Sequence, residues 1–333
     1  MIEIDGSKGE GGGQIIRTAI ALSAVTGTPV RITNIRVNRP NPGLSHQHLR
    51  GAEFLAKITD AEVQGLKLGS KELVFAPRRI KGGDFDVDIK TAGSISLFLQ
   101  SLIPAALYAS DRLRVRVRGG TDVKWSPPID FLRFILIPAL REMGAEIRIE
   151  LLRRGYYPKG GGLVQVEIEP SALSGFTPPK LGVDLVKGIS HASNLPGHVV
   201  RRQAESAEKR LLDLGIRSEI TLEQVSEIST GSGILLYSGY KSGSALGERG
   251  KPAESVGLEA ADSLITELNA ESTVDIYLAD QLIPFMALAD GRSEITVREI
   301  SLHLETNIRV VEAFLQRTFR VERINGAVKV LKP

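Results

Sequence analysis

One order of elements recurs three times along the 333 residues, and no other feature limits the fold so strongly. In the first copy Ile2–Asp5 reads as a short strand, and Gln14–Val25 carries apolar residues at helical spacing. Pro29–Arg36 alternates like a strand, LSHQHLRGAEFLAKI from Leu44 is a second helical pattern, and Ala61–Leu66 and Glu72–Phe75 close as strands. The second copy runs Phe85–Ile89, Ser94–Tyr108, Arg112–Arg118, Pro127–Met143, Glu146–Leu152 and Leu163–Ile168. The third runs Thr273–Tyr277, Gln281–Ala289, Glu294–Ile300, Leu304–Leu315, Phe319–Ile324 and Ala327–Leu331. The second helices share a spacing, Arg50 with Glu53 and Arg309 with Glu312.

Each copy is a βαβαββ unit whose helices can cover one face of a mixed four-stranded sheet, so the expected class is α+β. Between copies two and three, SALSGFTPPKLG has the Ser, Gly and Pro content of a linker. Behind it come a strand near Asp184–Ser190, a helix near Val199–Leu214, and strands near Glu219–Val225 and Gly233–Ser238. A flexible Gly/Ser loop over Lys241–Lys251 and a helix over about Val256–Leu268 complete the insertion. The expected division is a three-repeat domain over 1–181 plus 272–333, with a small α+β domain over 182–271.

Composition removes several kinds of chemistry. The chain has no cysteine, which excludes disulfide scaffolds, thiolate metal sites and cysteine nucleophiles. The net charge of +3 is too small to declare a polyanion partner, so the distribution of charge must decide. MIEIDGSKGE has no apolar signal core. The most apolar stretches, such as Phe134–Leu140 and Leu102–Ala109, are far short of the roughly 20 residues that span a bilayer. A soluble cytoplasmic protein with no membrane partner is expected.

Chemistry concentrates at a few places. DGSKGEGGGQIIR joins a strand to a helix through glycines that let a backbone approach a phosphate, and the helix N-terminus offers free N–H donors. It lacks the spacing of a Walker A loop or a dinucleotide fingerprint, so the alternatives are a tight turn or an anion site. Glu10 inside the loop suits a metal–phosphate site, which needs a hard oxygen ligand. Residues 11–52 contain no Asp or Glu, where the chain's average predicts about five, yet hold Arg17, Arg31, Arg36, Arg39, Arg50, His46 and His48. Such a stretch suits phosphate binding, because guanidinium forks match phosphate oxygens.

Arg112, Arg114, Arg116 and Arg118 alternate with Leu113, Val115 and Val117 and share one sheet face, either a solvated face or an RNA contact. No pair of the five histidines has HExxH spacing. His303 opens the last long helix, where the dipole disfavours imidazolium and leaves a neutral, nucleophilic nitrogen near pH 7. Tyr277, Leu278, Ala279, Asp280 and Gln281 occupy the strand-to-helix corner of copy three, equivalent to the glycine loop of copy one and to Ala92-Gly93-Ser94 of copy two. Asp280 caps the helix there, or Tyr277 stacks a base while the polar groups hold ribose and phosphate. Gln14 and Gln100 lie at or near the equivalent corners.

Six motifs in order make the chain resemble RNA 3′-terminal phosphate cyclases over essentially its whole length. They are DGSKGEGGGQIIR, RPNPGLSHQHL at 39–49, GGTD at 119–122 with Ser126-Pro127-Pro128, RGYYPKGGG at 154–162, YLADQ at 277–281 and HLETN at 303–307. The resemblance implies the three-repeat catalytic architecture with its insertion. It also implies ATP-dependent conversion of an RNA 3′-terminal phosphate to a 2′,3′-cyclic phosphate, through a histidine–AMP and an RNA(3′)pp(5′)A intermediate. His303 matches the nucleophile. Gln100 and the segment Tyr277, Leu278, Ala279, Asp280 and Gln281 match ATP-binding positions, with Tyr277 and Pro128 expected to sandwich adenine. Arg17, Arg36, Arg39 and Gln47 are candidates for the RNA phosphate or the ATP tail. Glu10 and Asp280 are candidates for the Mg²⁺ or Mn²⁺ that would neutralise charge during adenylylation.

Two other readings compete. A ribosome-biogenesis branch resembles these cyclases but lacks the histidine and binds RNA without catalysis; HLETN is intact here. Enolpyruvyl transferases also stack βαβαββ units, usually six rather than three, and give RGYYPKGGG and HLETN no place.

Overall fold

The computed structural model describes residues 1–180, 182, 185–316, 318–324 and 326–333. In the first unit β1 (Ile2–Asp5) feeds α1 (Gly13–Thr26), and β2 (Val30–Thr33) returns parallel to β1. Helix α2 (His46–Thr59) then leads to β3 (Glu62–Gln64) and β4 (Leu73–Ala76), which give the order β1-β2-β4-β3. Val30, Ile32, Leu73 and Phe75 alternate inward and are fully buried under the helices, as period-2 patterning requires.

The second unit repeats this with β5 (Gly83–Asp88), α3 (Ile95–Ala106), β6 (Leu113–Gly119), β7 (Ile147–Arg153) and β8 (Gly162–Ile168), in the order β5-β6-β8-β7. Its second helix is interrupted. α4 (Ile129–Phe131) passes through a π-helical turn, Leu132–Leu136, into α5 (Ile137–Glu142). Pro138 has no N–H to offer the preceding turn, and the Ile137 N–H reaches back five residues to Leu132. The arginine row of β6 faces solvent beside a matching row of acids. Arg114, Arg116 and Arg118 stand in register with Asp84, Asp86 and Asp88, and Glu167 pairs Arg112. This face is a solvated sheet surface whose charges are internally balanced.

The region 186–268 builds a sheet of its own. Its elements are β9 (Val186–Ser193), α6 (His198–Leu212), β10 (Ser218–Val225), β11 (Gly231–Ser238), β12 (Lys241–Leu246) and α7 (Ala253–Leu268), ordered β10-β9-β11-β12. Asp184, where the first strand was expected to begin, lies outside the described residues, as does Leu181 at the expected domain boundary. The expected flexible loop over Lys241–Lys251 is corrected: its first half is β12, paired antiparallel to β11. Its small residues serve packing rather than mobility, since a Cβ on Gly243 would collide with the backbone of α7 at Ala260 and Leu264.

The third unit contains α8 (Ile276–Leu288), β13 (Ser293–Val297), α9 (Leu302–Leu315), β14 (Arg320–Ile324) and β15 (Ala327–Lys332), with a three-stranded sheet ordered β13-β15-β14. The expected strand Thr273–Tyr277 is also corrected, because α8 begins at Ile276. The outer edge of β13 is instead flanked by two pieces of chain. Phe176 receives the Glu294 N–H at 2.8 Å, and Thr273 donates to the Thr296 carbonyl at 3.0 Å. Residues 171–176, read as linker, are thus partly ordered against this sheet, with Leu173 and Phe176 buried. In chain order the 186–268 region falls between these two pieces of the third unit's edge rather than between two whole units.

Helix α1 packs against α2, α3 and α9, and α8 packs against α9 and α3. One apolar cluster runs through all three units, and a second fills the space between β9, β11, α6 and α7. Among the described residues no helix is long and apolar enough to cross a membrane.

Candidate functional site

Helix α1 is apolar on nearly every face, yet Gln14, Arg17 and Thr18 are polar at i, i+3 and i+4 and share one side. Opposite them, α9 carries His303 and Asn307 with the same four-residue spacing. Thr18 donates its hydroxyl proton to Asn307 Oδ1 at 2.7 Å, and Asn307 Nδ2 donates to the Asp280 carbonyl at 2.6 Å. Gln14 is buried and spans to His303: its Nε2 donates to the His303 carbonyl at 3.3 Å, while its Oε1 meets the imidazole Nδ1.

That double contact fixes the tautomer. An amide that donates through nitrogen must accept through oxygen, so Nδ1 carries the proton and Nε2 keeps its lone pair. Partial burial, with Arg17 and Arg39 nearby, pushes the His303 pKa below its ordinary value. The ring is therefore neutral at pH 7. Replacing Gln14 with Leu is expected to slow any reaction of Nε2 on the order of 10²-fold. Gln14→Glu, which sets a carboxylate beside the ring, is expected to move the acid limb of the rate profile to higher pH; an unmoved profile would remove Gln14 from this role.

The glycine loop lies against the start of α9. The Glu10 N–H donates to Thr306 Oγ1 at 2.9 Å, and the Glu10 carboxylate pairs with Arg39. Glu10 Oε2 is buried, accepts no hydrogen bond and lies 4.0 Å from His303 Nδ1. A Cβ on Gly12 would collide with that carboxylate, and one on Gly13 with His48. Helix α1 starts at Gly13 without a side-chain cap, so its first N–H groups are open to an anion.

The arginines lack carboxylate partners where they go deepest. Arg17 makes no ion pair or hydrogen bond among the described residues, and its buried Nε is unpartnered. Burial alone pulls its pKa down to about 10. Arg36, held in the left-handed region at φ 53°, donates to the Gly43 carbonyl at 2.8 Å and has no ion pair among the described residues. Gln47 Oε1 accepts from the Ser94 N–H at 3.3 Å, linking the first unit to the second. A buried, unpaired guanidinium is costly unless an anion is its partner.

The 277–281 segment lies inside helix α8, not at a strand-to-helix corner, and the cap is Asp275 rather than Asp280. Asp275 accepts from the Leu278 N–H at 2.6 Å and from Ser242 Oγ. Asp280 instead accepts from Ser301 Oγ, the cap of α9, and burial raises its carboxyl to about 7. Leu278 and Ala279 are fully buried in the core, so their side chains do not face a ligand. Gln100 and Gln281 prove equivalent, each the sixth residue of its helix, whereas Gln14 is the second.

Apart from Leu278 and Ala279, the structure brings the anticipated residues together. His303, Glu10, Arg17, Arg36 and Arg39 line a single cleft of about 1950 Å³, with Gln47, Gln100, Pro128, Tyr277, Asp280 and Gln281 along the same walls. Tyr277 is half exposed there. Residues of the 186–268 region, among them Leu195, Val199 and Arg202, form another wall. His46 is exposed outside this lining, whereas His48 lies within it, bonded through Nδ1 to Ser45 Oγ at 2.8 Å. Among the described residues no three His, Cys, Asp or Glu side chains cluster to hold a metal.

The profile of the RNA 3′-terminal phosphate cyclase family matches residues 8–321. The chain belongs to this family. It is 53% identical to the RNA 3′-terminal phosphate cyclase of Archaeoglobus fulgidus over 97% of this chain and 98% of that one. It is 54% identical to that of Methanosarcina barkeri, with 99% of each covered, and 49% identical to that of Pyrococcus furiosus, over 97% of this chain and 95% of that one. The resemblance read from the motifs is upheld, and with it the class of enzyme. A solved structure, the enolpyruvyl transferase NikO from Streptomyces tendae, is matched at TM-score 0.25 and 16% identity, over 63% of this chain and 38% of that one. That likeness is too slight to bear on fold or function.

Several groups at the site escaped the sequence reading. Thr306 holds the loop at Glu10, Ser301 and Asn307 hold Asp280, and Thr18 holds Asn307; Thr306 and Asn307 stand within HLETN, but no role attached to either. Arg154 of RGYYPKGGG was also unassigned. It is 2% exposed and ties the buried Asp122 and Asp130 to the partly exposed Glu223.

Proposed function

We propose that this protein converts an RNA 3′-terminal phosphate into a 2′,3′-cyclic phosphate with ATP, through a histidine–AMP and an RNA(3′)pp(5′)A intermediate. The observation that carries the reading is the free Nε2 lone pair of His303, fixed by Gln14 and set in a cleft where Arg17 and Arg36 have no acidic partner among the described residues. Nε2 attacks the α-phosphorus of ATP, the P–O bond to the β-phosphate breaks and pyrophosphate leaves. The RNA 3′-phosphate then displaces the histidine, taking AMP. Finally the 2′-oxygen attacks the activated phosphorus, AMP departs, and the hydroxyl proton goes to solvent or to the leaving phosphate. A phosphate monoester has no good leaving group of its own, and the adjacent 2′-OH is already in reach, so capping with AMP is what cyclisation requires.

In this reading Tyr277 and Pro128 hold adenine, and Gln100, Asp280 and Gln281 hold the nucleoside. Arg17, Arg36, Arg39 and Gln47 take the phosphates. Residues 182–271 act as an inserted domain that supplies one wall. The orphaned, buried Glu10 Oε2 fits a divalent cation, whose remaining positions phosphates and water would fill. Asp280 fits less well, because its carboxyl is already bonded and half protonated near neutrality. Such a cation supplies charge neutralisation at the phosphates. The substrates are those of the cytoplasm.

Incubation with α-labelled ATP and Mg²⁺ or Mn²⁺, followed by denaturation, is expected to leave acid-labile label on the chain. A 3′-phosphorylated oligoribonucleotide is expected to become resistant to phosphatase. Absence of label with either metal would turn the reading toward a non-catalytic RNA-binding factor. Arg17 gives a second check, because function and stability should move in opposite directions. Arg17→Met is expected to weaken use of the phosphorylated substrate about 10–100-fold while leaving the melting temperature unchanged or raised, since it removes an unpaired buried charge. A large loss of stability would instead assign Arg17 to the fold.

A further inference from the structure

Among the described residues the two most exposed large apolar side chains are Trp125, at 95%, and Tyr157, at 76%. Neither is used by the adenylylation chemistry, yet both line the same cleft as His303. Exposure of a single aromatic needs no explanation, but these two are held outward by defined structure. Trp125 sits at φ 60°, the left-handed region that bulky residues avoid. Its turn is closed by Ser126 Oγ donating to the Val123 carbonyl at 2.9 Å. Tyr157 follows Tyr156, whose side chain goes the opposite way, buried and bonded to His191 at 2.7 Å.

The two loops are also stitched to each other. Asp122 and Tyr156 are bridge partners, the Thr121 N–H donates to the Gly155 carbonyl at 2.8 Å, and the Gly155 N–H donates to Thr121 Oγ1 at 2.8 Å. Arg154, one residue before Gly155, is bonded to Asp122 at 3.2 Å. The rings therefore project from adjacent, anchored loops, three residues beyond Asp122 and one beyond Tyr156. On the wall formed by the 186–268 region, Arg249 lines the cleft and has no ion pair among the described residues. Paired exposed aromatics with an unpaired cation along a cleft are the elements by which proteins hold single-stranded nucleic acid, each ring stacking a base and the cation tracking the backbone.

We propose that Trp125 and Tyr157 form a stacking platform for the unpaired bases immediately upstream of the RNA 3′ end, with Arg249 beside the backbone. This rests on the reading of the substrate as RNA and adds to it that the end must be single-stranded over its last few nucleotides. Stacking is indifferent to base identity, so the platform sets strandedness rather than sequence.

Trp125 is the chain's sole tryptophan, so fluorescence excited at the red edge, where tyrosine does not absorb, reports on this one side chain. Titrating a single-stranded, 3′-phosphorylated oligoribonucleotide of about ten nucleotides is expected to quench it, whereas ATP alone does not. Trp125→Ala and Tyr157→Ala are each expected to raise KM for that oligonucleotide about tenfold, and the pair about a hundredfold, with kcat and the rate of self-adenylylation unchanged. Trp125→Phe restores most of the loss. A mononucleoside 3′-phosphate, which has no upstream base, reacts equally with all variants. Normal labelling and cyclisation with silent fluorescence and unchanged KM would overturn the platform while leaving the cyclase reading intact. A raised KM for ATP in Trp125→Ala would also overturn it, by placing the ring at the nucleotide. Loss of labelling and cyclisation in wild type, with quenching by single-stranded RNA retained, would overturn the cyclase reading and keep the platform.

Discussion

His303→Asn is expected to abolish covalent labelling by α-labelled ATP, by at least about 10³-fold. Asparagine can still accept and donate beside Gln14, but its amide nitrogen has no available lone pair to attack phosphorus. The protein should remain folded, because the side chain is about half exposed and its ring is hydrogen-bonded, among the described residues, to Gln14, with Glu10 4.0 Å away. Circular dichroism and a melting curve separate loss of the nucleophile from loss of structure. In wild type, the acid limb of labelling should lie on the acid side of the ordinary imidazole range, because the His303 pKa lies below its ordinary value. Label persisting in the variant would keep the class of reaction and move the nucleophile, with His48 the next residue to test, since it shares the cleft.

The largest expected effect on stability belongs to Arg154. Its guanidinium donates to Asp130 at 2.7 Å, to Asp122 at 3.2 Å and to Glu223 at 2.6 Å, and it is buried with both aspartates. Asp122 and Asp130 come from the second unit and Glu223 from β10, so one side chain joins the two parts of the molecule. Arg154→Met takes this cation from Asp122 and Glu223 and leaves Asp130 with Arg133. Breaking a buried pair from one side costs about 3–5 kcal/mol, and three acids share this partner. A fall of several degrees in melting temperature is expected at pH 7. The deficit should shrink toward pH 4, where the stranded carboxyls bind protons instead of remaining charged. A loss that is small and independent of pH would mean that the cluster contributes little to joining the two parts.

How much of this was legible follows from the kind of signal each feature sends. The repeated strands and helices announce themselves through period, so the units and their sheets appear in the sequence almost as they stand. The edge of the third sheet does not, because its two pieces, near 174–176 and 273–274, are separated by the insertion and are too short to show a period. Likewise β12, rich in Ser and Gly, resembles a loop until α7 is seen to need its glycine. At the site, His303, Glu10, Arg17 and Tyr277 sit within motifs and could be named. Of the two alternatives for Asp280, the cap fails because α8 starts several residues before the expected Gln281. Arg154 was visible only as part of a motif, since its three partners come from Asp122, Asp130 and Glu223, and no local pattern connects them.

The contact between α1 and α9 has a bearing on how the molecule comes into being. Gln14 and His303 are 289 residues apart, as are Thr18 and Asn307. The polar contacts that hold the imidazole therefore form only when the first and third units dock, whatever each unit does by itself. A fragment lacking α9 would keep the glycine loop, Arg17, Arg36 and Arg39, and would lack the ring whose tautomer Gln14 sets. The anion-holding groups and the imidazole thus belong to different ends of one packed assembly, and a break anywhere between them separates the two.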